Sequence, residues 1–454
     1  MFKCFTDKEF ITRFLKISLP VMLAAFITFL VTFIDNIMVG SVSNEAVSGV
    51  YAANEVTFVF EISGFGIIEG AGIFLQQFNG TNDKEHMKQC FRYKLIAGIG
   101  YLLVAIPLVF FFGKYLVNLY CQSDSNFEQI SKEANDYLNL ILISYIPFII
   151  GTLYSYSLRE IGKTKYAMYS SFIAVVANII FNYIFIIVLQ KGVKGAAIAT
   201  IISRILEMSF LITISHIKKM PFCHRAYFNF RIEKELFINR SKKTAILFIN
   251  EVGWSLGMIL QSMAYSQRDS VLSAISVVST VNNVIQILIN SLSIGIGVMI
   301  GSSLGQEKYE KAKYEAKNLN LLGLYSALVV GLIFVGLSPF IPQLFNKVDP
   351  AQKELATLLI IILGSLLFGR TLCASIYFIL KAGGNAVLTF FYDTGLMILV
   401  YLPVAWGLAV FTSLDMVYIY LIVTSIDVVK ALLGLLIMKK TNWANNLTHL
   451  EKVN

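Results

Sequence analysis

The chain has 454 residues, of which 56% are apolar and 14% charged, and it carries a formal net charge of +9. A soluble domain has roughly a quarter charged residues, so this composition excludes an ordinary soluble protein and places the chain in lipid. Its five cysteines (Cys4, Cys90, Cys121, Cys223, Cys373) show no CxxC spacing and its four histidines (His86, His216, His224, His449) no ligand pattern, which argues against a disulfide framework or a structural metal.

A helix needs about 20 mainly apolar residues to cross the hydrocarbon, whereas a membrane β-barrel shows short alternating segments. The first apolar run, Phe14 to Val39, is too long for a signal-peptide core and lacks a small-residue cleavage site, so it reads as a retained span. In chain order the runs predict spans near 13–38, 46–78, 93–117, 135–158, 166–190 and 195–217, then 244–267, 271–303, 318–342, 354–381, 386–411 and 414–438. The expected fold is an all-α polytopic membrane protein of twelve transmembrane helices. With the amino terminus inside, 27 Lys and Arg fall on the cytoplasmic side, 7 outside and 3 (Arg204, Arg370, Lys430) within spans, and the positive-inside rule selects that orientation. Eight of the inside charges lie in 218–243, the most polar stretch, which reads as a basic cytoplasmic linker held near anionic lipid and not as a nucleic-acid site.

That linker divides the chain into a six-helix lobe over 1–217 and a second over 244–440, with a cytoplasmic tail at 441–454. A shift of 225 residues takes Gly70 to Gly295, Gly72 to Gly297, Gly80 to Gly305, Glu85 to Glu310, Lys88 to Lys313, Leu119 to Leu344 and Asp124 to Asp349. With an even number of spans in each half, both start inside, and the lobes are expected to be related by a pseudo-two-fold axis along the membrane normal, a layout of alternating-access carriers. No Walker A, Rossmann, G-x-S-x-G or H-E-x-x-H pattern is present, so transport would draw on an ion gradient and not on ATP.

Buried acids stand out, because a charge at the bilayer centre costs about 2.5–3.5 kcal/mol even on lenient scales. Asp35 sits in an apolar helix whose nearest lysine in sequence is Lys16. Burial away from cations suits a carboxylate to proton carriage or, with amides around it, to sodium binding; the plainer reading puts it at the outer water interface. Glu55, Glu61 and Glu69 share the second span, Glu55 and Glu69 falling about 40° apart on one face and Glu61 about 80° beyond. They either line a cavity that binds a cationic substrate or, for Glu55 or Glu61, pair with Arg370. Asn178 and Asn182 lie one turn apart on one face, where amide oxygens serve either as hard ion ligands or as interhelical hydrogen-bonding groups. Arg204 with Glu207, and Asp427 with Lys430, are spaced as local ion pairs. Pro20, Pro107, Pro147 and Pro403 fall inside or at the edges of spans, where a missing N–H allows bending.

The stretch from Ser18 to Gly40, S-L-P-V-M-L-A-A-F-I-T-F-L-V-T-F-I-D-N-I-M-V-G, followed by A-V-S-G-V at 46–50, is similar to the opening of multidrug and toxic compound extrusion (MATE) transporters. L-R-E-I-G-K-T-K at 158–165, N-I-I-F-N-Y-I-F-I at 178–186, G-V-K-G-A-A-I-A-T-I-I-S-R-I-L-E at 192–207, N-E-V-G-W at 250–254, D-V-V-K, and N-W-A-N-N-L-T near Asn442 extend the resemblance over the whole chain. It implies two six-helix lobes in a plasma membrane with both termini cytoplasmic, and efflux of small organic, cationic or amphipathic molecules by a monomer that exchanges them for H+ or Na+ and holds no cofactor. It also implies that Asp35, Asn178, Asn182 and Thr200 form a polar cation site, with Asn182 standing where some members carry Asp. Glu251 resembles an acid that a sodium-coupled branch pairs with an aspartate in the tenth span. Here that span offers Arg370 and no acid, and Asp393 in the eleventh either substitutes or neutralises Arg370. The rivals are a lipid-linked saccharide flippase of the same superfamily, which predicts cationic grooves where this first lobe is acidic, and an intramembrane enzyme or receptor, for which no nucleophile–base pair or metal set is found.

Overall fold

The computed structural model describes residues 7–40, 42–121, 127–228, 230–268, 271–345 and 348–448; the side chains of 31–37, 40, 44, 47, 55, 119–121 and 272 fall outside that description. Twelve helices within it are long and apolar enough to cross a membrane. They are α1 (Lys8–Gly40), α2 (Asn44–Gly80), α3 (Lys84–Cys121), α4 (Phe127–Glu160), α5 (Thr164–Val188), α6 (Gly192–Ile217), α7 (Lys234–Tyr265), α8 (Leu272–Gly305), α9 (Tyr309–Leu337), α10 (Pro350–Ala382), α11 (Ala386–Phe411) and α12 (Met416–Lys440). No strand occurs among the described residues. All twelve predicted spans are present. Several helices start well before their apolar run, α7 at Lys234 and α9 at Tyr309, because charged, strongly helix-forming turns extend the backbone beyond the hydrocarbon.

Local chemistry sets the ends. Ser43 Oγ accepts from the Ala46 N–H at 3.0 Å, Asn385 Oδ1 from Leu388 N–H at 3.1 Å and Asp415 Oδ1 from Val417 N–H at 2.9 Å, each satisfying an orphan donor at a helix start. Gly162 (φ 73°) and Gly384 (φ 75°) supply the left-handed residue that ends α4 and α10. Three helices change hydrogen-bond register midway. A 3-10 turn at 142–144 interrupts α4, and π-helical turns occupy 183–188 of α5 and 391–395 and 397–401 of α11. Pro147 and Pro403 stand just past two of these changes, where a missing N–H removes least.

Outward faces are apolar in a way water would not tolerate: Leu103, Phe111, Leu332 and Leu399 are each 72% exposed. Along helices of spanning length, such exposure is what lipid-facing surface requires.

The chain divides into two compact units. One gathers residues 19–248, the other residues 7–18 with 249–448. Thus α1 gives its first turns to the bundle of α8–α12, and α7 gives its first turns to the bundle of α2–α6. Glycines make each attachment close. In the first bundle an added Cβ on Gly70 would lie 2.8 Å from Thr244 Cα; in the second, one on Gly295 would lie 2.5 Å from both Phe14 Cε2 and Ser18 Oγ. Gly70 and Gly295 are partners under the 225-residue shift, so the two repeats use the same device. Of the other residues aligned by that shift, the Leu119 side chain and Asp124 lie outside the described residues.

Candidate functional site

Asp35 and Glu55 are on α1 and α2, and their side chains lie outside the described residues. The amides expected to join Asp35 are buried and bonded to each other. Asn178 is 7% and Asn182 2% exposed, and the Asn182 Nδ2 donates to Asn178 Oδ1 at 3.0 Å. They end the regular part of α5, and the π-helical turns follow at once. Wide turns of this kind free backbone carbonyls from the i→i+4 ladder and recur at functional sites. Thr200, on the neighbouring α6, returns its hydroxyl to the Ala196 carbonyl at 3.1 Å. Its Oγ lone pairs remain to receive a ligand, because donation uses only the hydroxyl proton.

The embedded charges pair otherwise than local spacing suggests. Arg204 bonds not to Glu207 but to Glu61 on α2, at 2.9 Å, with its guanidinium 4.3 Å from the centre of the Phe148 ring. Arg370 takes neither Glu61 nor Asp393; it donates to Asn282 Oδ1 at 2.7 Å. Lys430 goes to Asp393 at 3.0 Å and not to Asp427, which accepts from Tyr401 instead. For Arg204 and Lys430 a residue a turn away in sequence loses to one on a packed neighbour, since side chains within a helix bundle meet across helices as readily as along them. Glu69 is half-buried on α2.

Aromatic rings gather beside the Glu61–Arg204 pair. Phe60 stacks on Tyr145 with centroids 3.6 Å apart and tilts against Tyr101 and Phe148, while Phe65 meets Phe148 and Tyr156. Tyr101 donates to the Phe60 carbonyl at 2.8 Å and shares a 2.6 Å bond with Ser63. The rings come from α2, α3 and α4. With 35 Phe and 22 Tyr in the chain, composition does not say which of them meet.

In the second bundle four helices build a connected polar network. Glu251 on α7 receives Tyr377 Oη at 2.8 Å and Lys381 Nζ at 3.1 Å, both from α10. The adjacent Asn250 donates from Nδ2 to Tyr377 Oη at 3.1 Å and to Asp393 Oδ2 at 3.3 Å on α11. Asp393 in turn holds Lys430 of α12, and Thr394 donates to the Asn250 carbonyl and Oδ1 at 2.8 and 2.9 Å. Two features bring α7 and α11 this close. Gly253 and Gly257 form a Gly-x-x-x-Gly face, and an added Cβ at either would lie 2.6 Å from Thr394 Cγ2 or Met397 Cγ. The π-helical turns at 391–395 and 397–401 then swing Asp393 and Tyr401 toward α7 and α12. Glu251 and Asp393 were legible as buried acids. Lys381 was not, because at the end of the tenth apolar run it reads as one more inside-positive charge; its position one turn after Tyr377 on the same face was the available signal.

The first bundle carries one more buried pair, Lys94 with Glu160, both almost fully enclosed, over a site where Gly72 leaves room for the carboxylate. No group of three or more His, Cys, Asp or Glu able to hold a metal occurs among the described residues.

Twelve spanning helices, two repeats and interior polar groups joined by hydrogen bonds define a polytopic membrane carrier. The MatE family model matches residues 20–184 and again 245–407, two matches whose starts are 225 residues apart, and the chain belongs to that family of transporters, not to an enzyme family. Among curated proteins it is 25% identical over 420 residues to a probable multidrug resistance protein NorM of Haemophilus ducreyi, covering 88% of this chain and 85% of that one. A probable NorM of Thermotoga maritima is 27% identical over 222 residues, 46% of each chain. Among solved structures, a MOP-superfamily transporter from Pyrococcus furiosus, whose description reports a binding pocket of reverse polarity, superimposes with a TM-score of 0.84 at 17% identity over 94% of this chain and 96% of that one. The Vibrio cholerae MATE transporter VcmN, as its D35N mutant, gives 0.83 at 16% identity over 96% and 98%. At these identities the solved structures establish the shared fold.

Proposed function

We propose that the protein is a multidrug efflux transporter that moves small organic compounds, cationic or amphipathic in character, out of the cell by alternating access, driven by inward flow of H+ or Na+. The observation that carries this reading is the MatE match over both repeats, together with relatives named as multidrug resistance proteins. Ion uptake belongs to the first bundle: Asp35 takes the proton or sodium ion, and the face of Asn178, Asn182 and Thr200 supplies neutral oxygens. The half-buried acids Glu61 and Glu69, with Glu55, serve a cationic substrate, and the rings around Phe60 and Tyr145, buried in the bundle, pack behind them. Glu251 and Asp393 hold the second bundle's polar network on the substrate side, and Arg370 is structural, tied to Asn282. The protein works in the plasma membrane with both termini cytoplasmic, as a monomer, with no cofactor beyond the coupling ion.

An ion bound at Asp35 lowers the affinity for substrate in the outward state; substrate arriving from the cytoplasm then displaces the ion in the inward state. Coupling requires only that affinities differ between the two states. Each monovalent ion moving inward supplies about 2.3 kcal/mol per 100 mV, enough for a roughly fiftyfold gradient of a neutral substrate.

Transport of a fluorescent cation into inverted vesicles, with proton and sodium gradients imposed separately, tests this. One gradient drives uptake in the wild type, and Asp35→Asn at equal expression abolishes it. Uptake in Asp35→Asn equal to the wild type, or none under either gradient in the wild type, overturns the proposal.

A further inference from the structure

In the second bundle each interior acid of the Asn250 network already has a cation of its own. Glu251 holds Lys381 at 3.1 Å and Asp393 holds Lys430 at 3.0 Å, with the side chains of the two lysines 8% and 10% exposed. We propose that Lys381 is a built-in counter-cation that keeps metal ions off Glu251, and so is the residue that sets the ion specificity of the second bundle.

Charge comes first. Glu251 and Asp393 are each matched by an ammonium group, so a sodium or lithium ion arriving at Glu251 meets an ammonium group already in contact with the same oxygen. Like charges that close, in a site mostly removed from water, repel with little screening.

Ligand supply points the same way. A hard cation needs several oxygens at once. Glu251 Oε1 accepts from both Tyr377 and Lys381, Asn250 Oδ1 is occupied by the Thr394 hydroxyl, and Asn250 turns its NH2 toward Tyr377 and Asp393. A metal arriving there competes with protons already bonded to Glu251 Oε1, Asn250 Oδ1 and Tyr377 Oη.

Lys381 is also held in place. It follows Tyr377 by one turn of α10, and its ammonium lies 5.4 Å from the centre of that ring, within cation–π range. Glu251 keeps 23% of its side chain exposed, so a small ion can reach it once the lysine is gone. Removal of Lys381 would leave a carboxylate, a tyrosine oxygen and access to water, which is a cation site.

The inference rests on the efflux reading only in placing ion uptake in the first bundle, and its test does not use transport. The melting temperatures of purified wild type, Lys381→Gln, Lys381→Arg, Glu251→Gln and the Lys381→Gln/Glu251→Gln double variant are measured at pH 8.5 in NaCl, LiCl or choline chloride of equal strength. Lys381→Gln gains a rise of about 2–4 °C in sodium or lithium over choline. Lys381→Arg shows no such gain, the double variant loses it, and Glu251→Gln responds to metal ions as the wild type does. A folded Lys381→Gln with no metal-specific rise overturns the proposal. So does a wild-type sodium response that Glu251→Gln abolishes, a comparison that decides the matter even where Lys381→Gln does not fold. Failure of the efflux reading would show separately, as absence of driven uptake with these melting shifts intact.

Discussion

Two buried cations of the first bundle differ in what surrounds them, and the difference predicts opposite responses to the same substitution. Lys94 is enclosed with Glu160 and also donates to Ser157 at 3.4 Å. Lys94→Met leaves the Glu160 carboxylate without its ammonium partner in an apolar setting, and loss of one partner of a buried pair costs about 3–5 kcal/mol. Arg240 is fully buried, its guanidinium nitrogens have no oxygen acceptor and only the Cys90 thiol beside them, and it lies over the Phe74 and Phe78 rings at 5.6 and 5.9 Å. Arg240→Met keeps length and packing while removing a desolvated charge, so stability is unchanged or rises. Thermal unfolding in one detergent compares the two; a loss in Arg240→Met as large as that in Lys94→Met would contradict this account. Neither environment was readable in the sequence, where both residues counted alike toward the inside-positive total.

Apolar run length predicted every spanning helix, because the cost of unsatisfied backbone in lipid leaves few alternatives. Interruptions within helices were harder to foresee. Pro147 and Pro403 flagged two of them, but the π-helical turns of α5 and α11 carry no such marker inside 183–188 and 391–395. Close approach of α7 to α11 depends instead on Gly253 and Gly257, whose spacing was in plain view. Gly253→Val places methyl groups against Thr394, pushes α11 outward and breaks the Thr394 bonds to Asn250. Overpacking of this kind costs about 1–3 kcal/mol, with the lost bonds in addition. Gly253→Ala, which brings in one methyl, loses less, and the order wild type, Ala, Val in melting temperature is the check.

For the molecule as a whole, orientation is the property that charge distribution governs. If the basic segment after α6 is cytoplasmic, a single cysteine at Arg225 reacts with an impermeant maleimide only after cells are opened, whereas one at Ser413, in the turn between α11 and α12, reacts in intact cells. The reverse pattern would invert the topology. Both positions are exposed, so accessibility reflects side and not burial. The division into two units also belongs to this scale. A count of spans places one boundary in the linker, yet the first turns of α1 pack with α8–α12, where Arg13 meets Glu315 at 2.9 Å, and the first turns of α7 pack with α2–α6.

The sequence by itself determined the membrane setting, the number of helices, the two repeats and the family, since all of these follow from hydropathy, charge asymmetry and residue spacing along one dimension. It also pointed to Asp35, Asn178, Asn182, Glu61, Glu251 and Asp393 as polar groups needing an explanation. Only the tertiary structure decided their partners: Glu61 with Arg204, Glu251 with Tyr377 and Lys381, Asp393 with Lys430. Those pairs join residues 37 to 143 positions apart. No local rule reaches so far, because which helices pack, and at which turn, depends on glycine contacts and register shifts summed over the whole bundle.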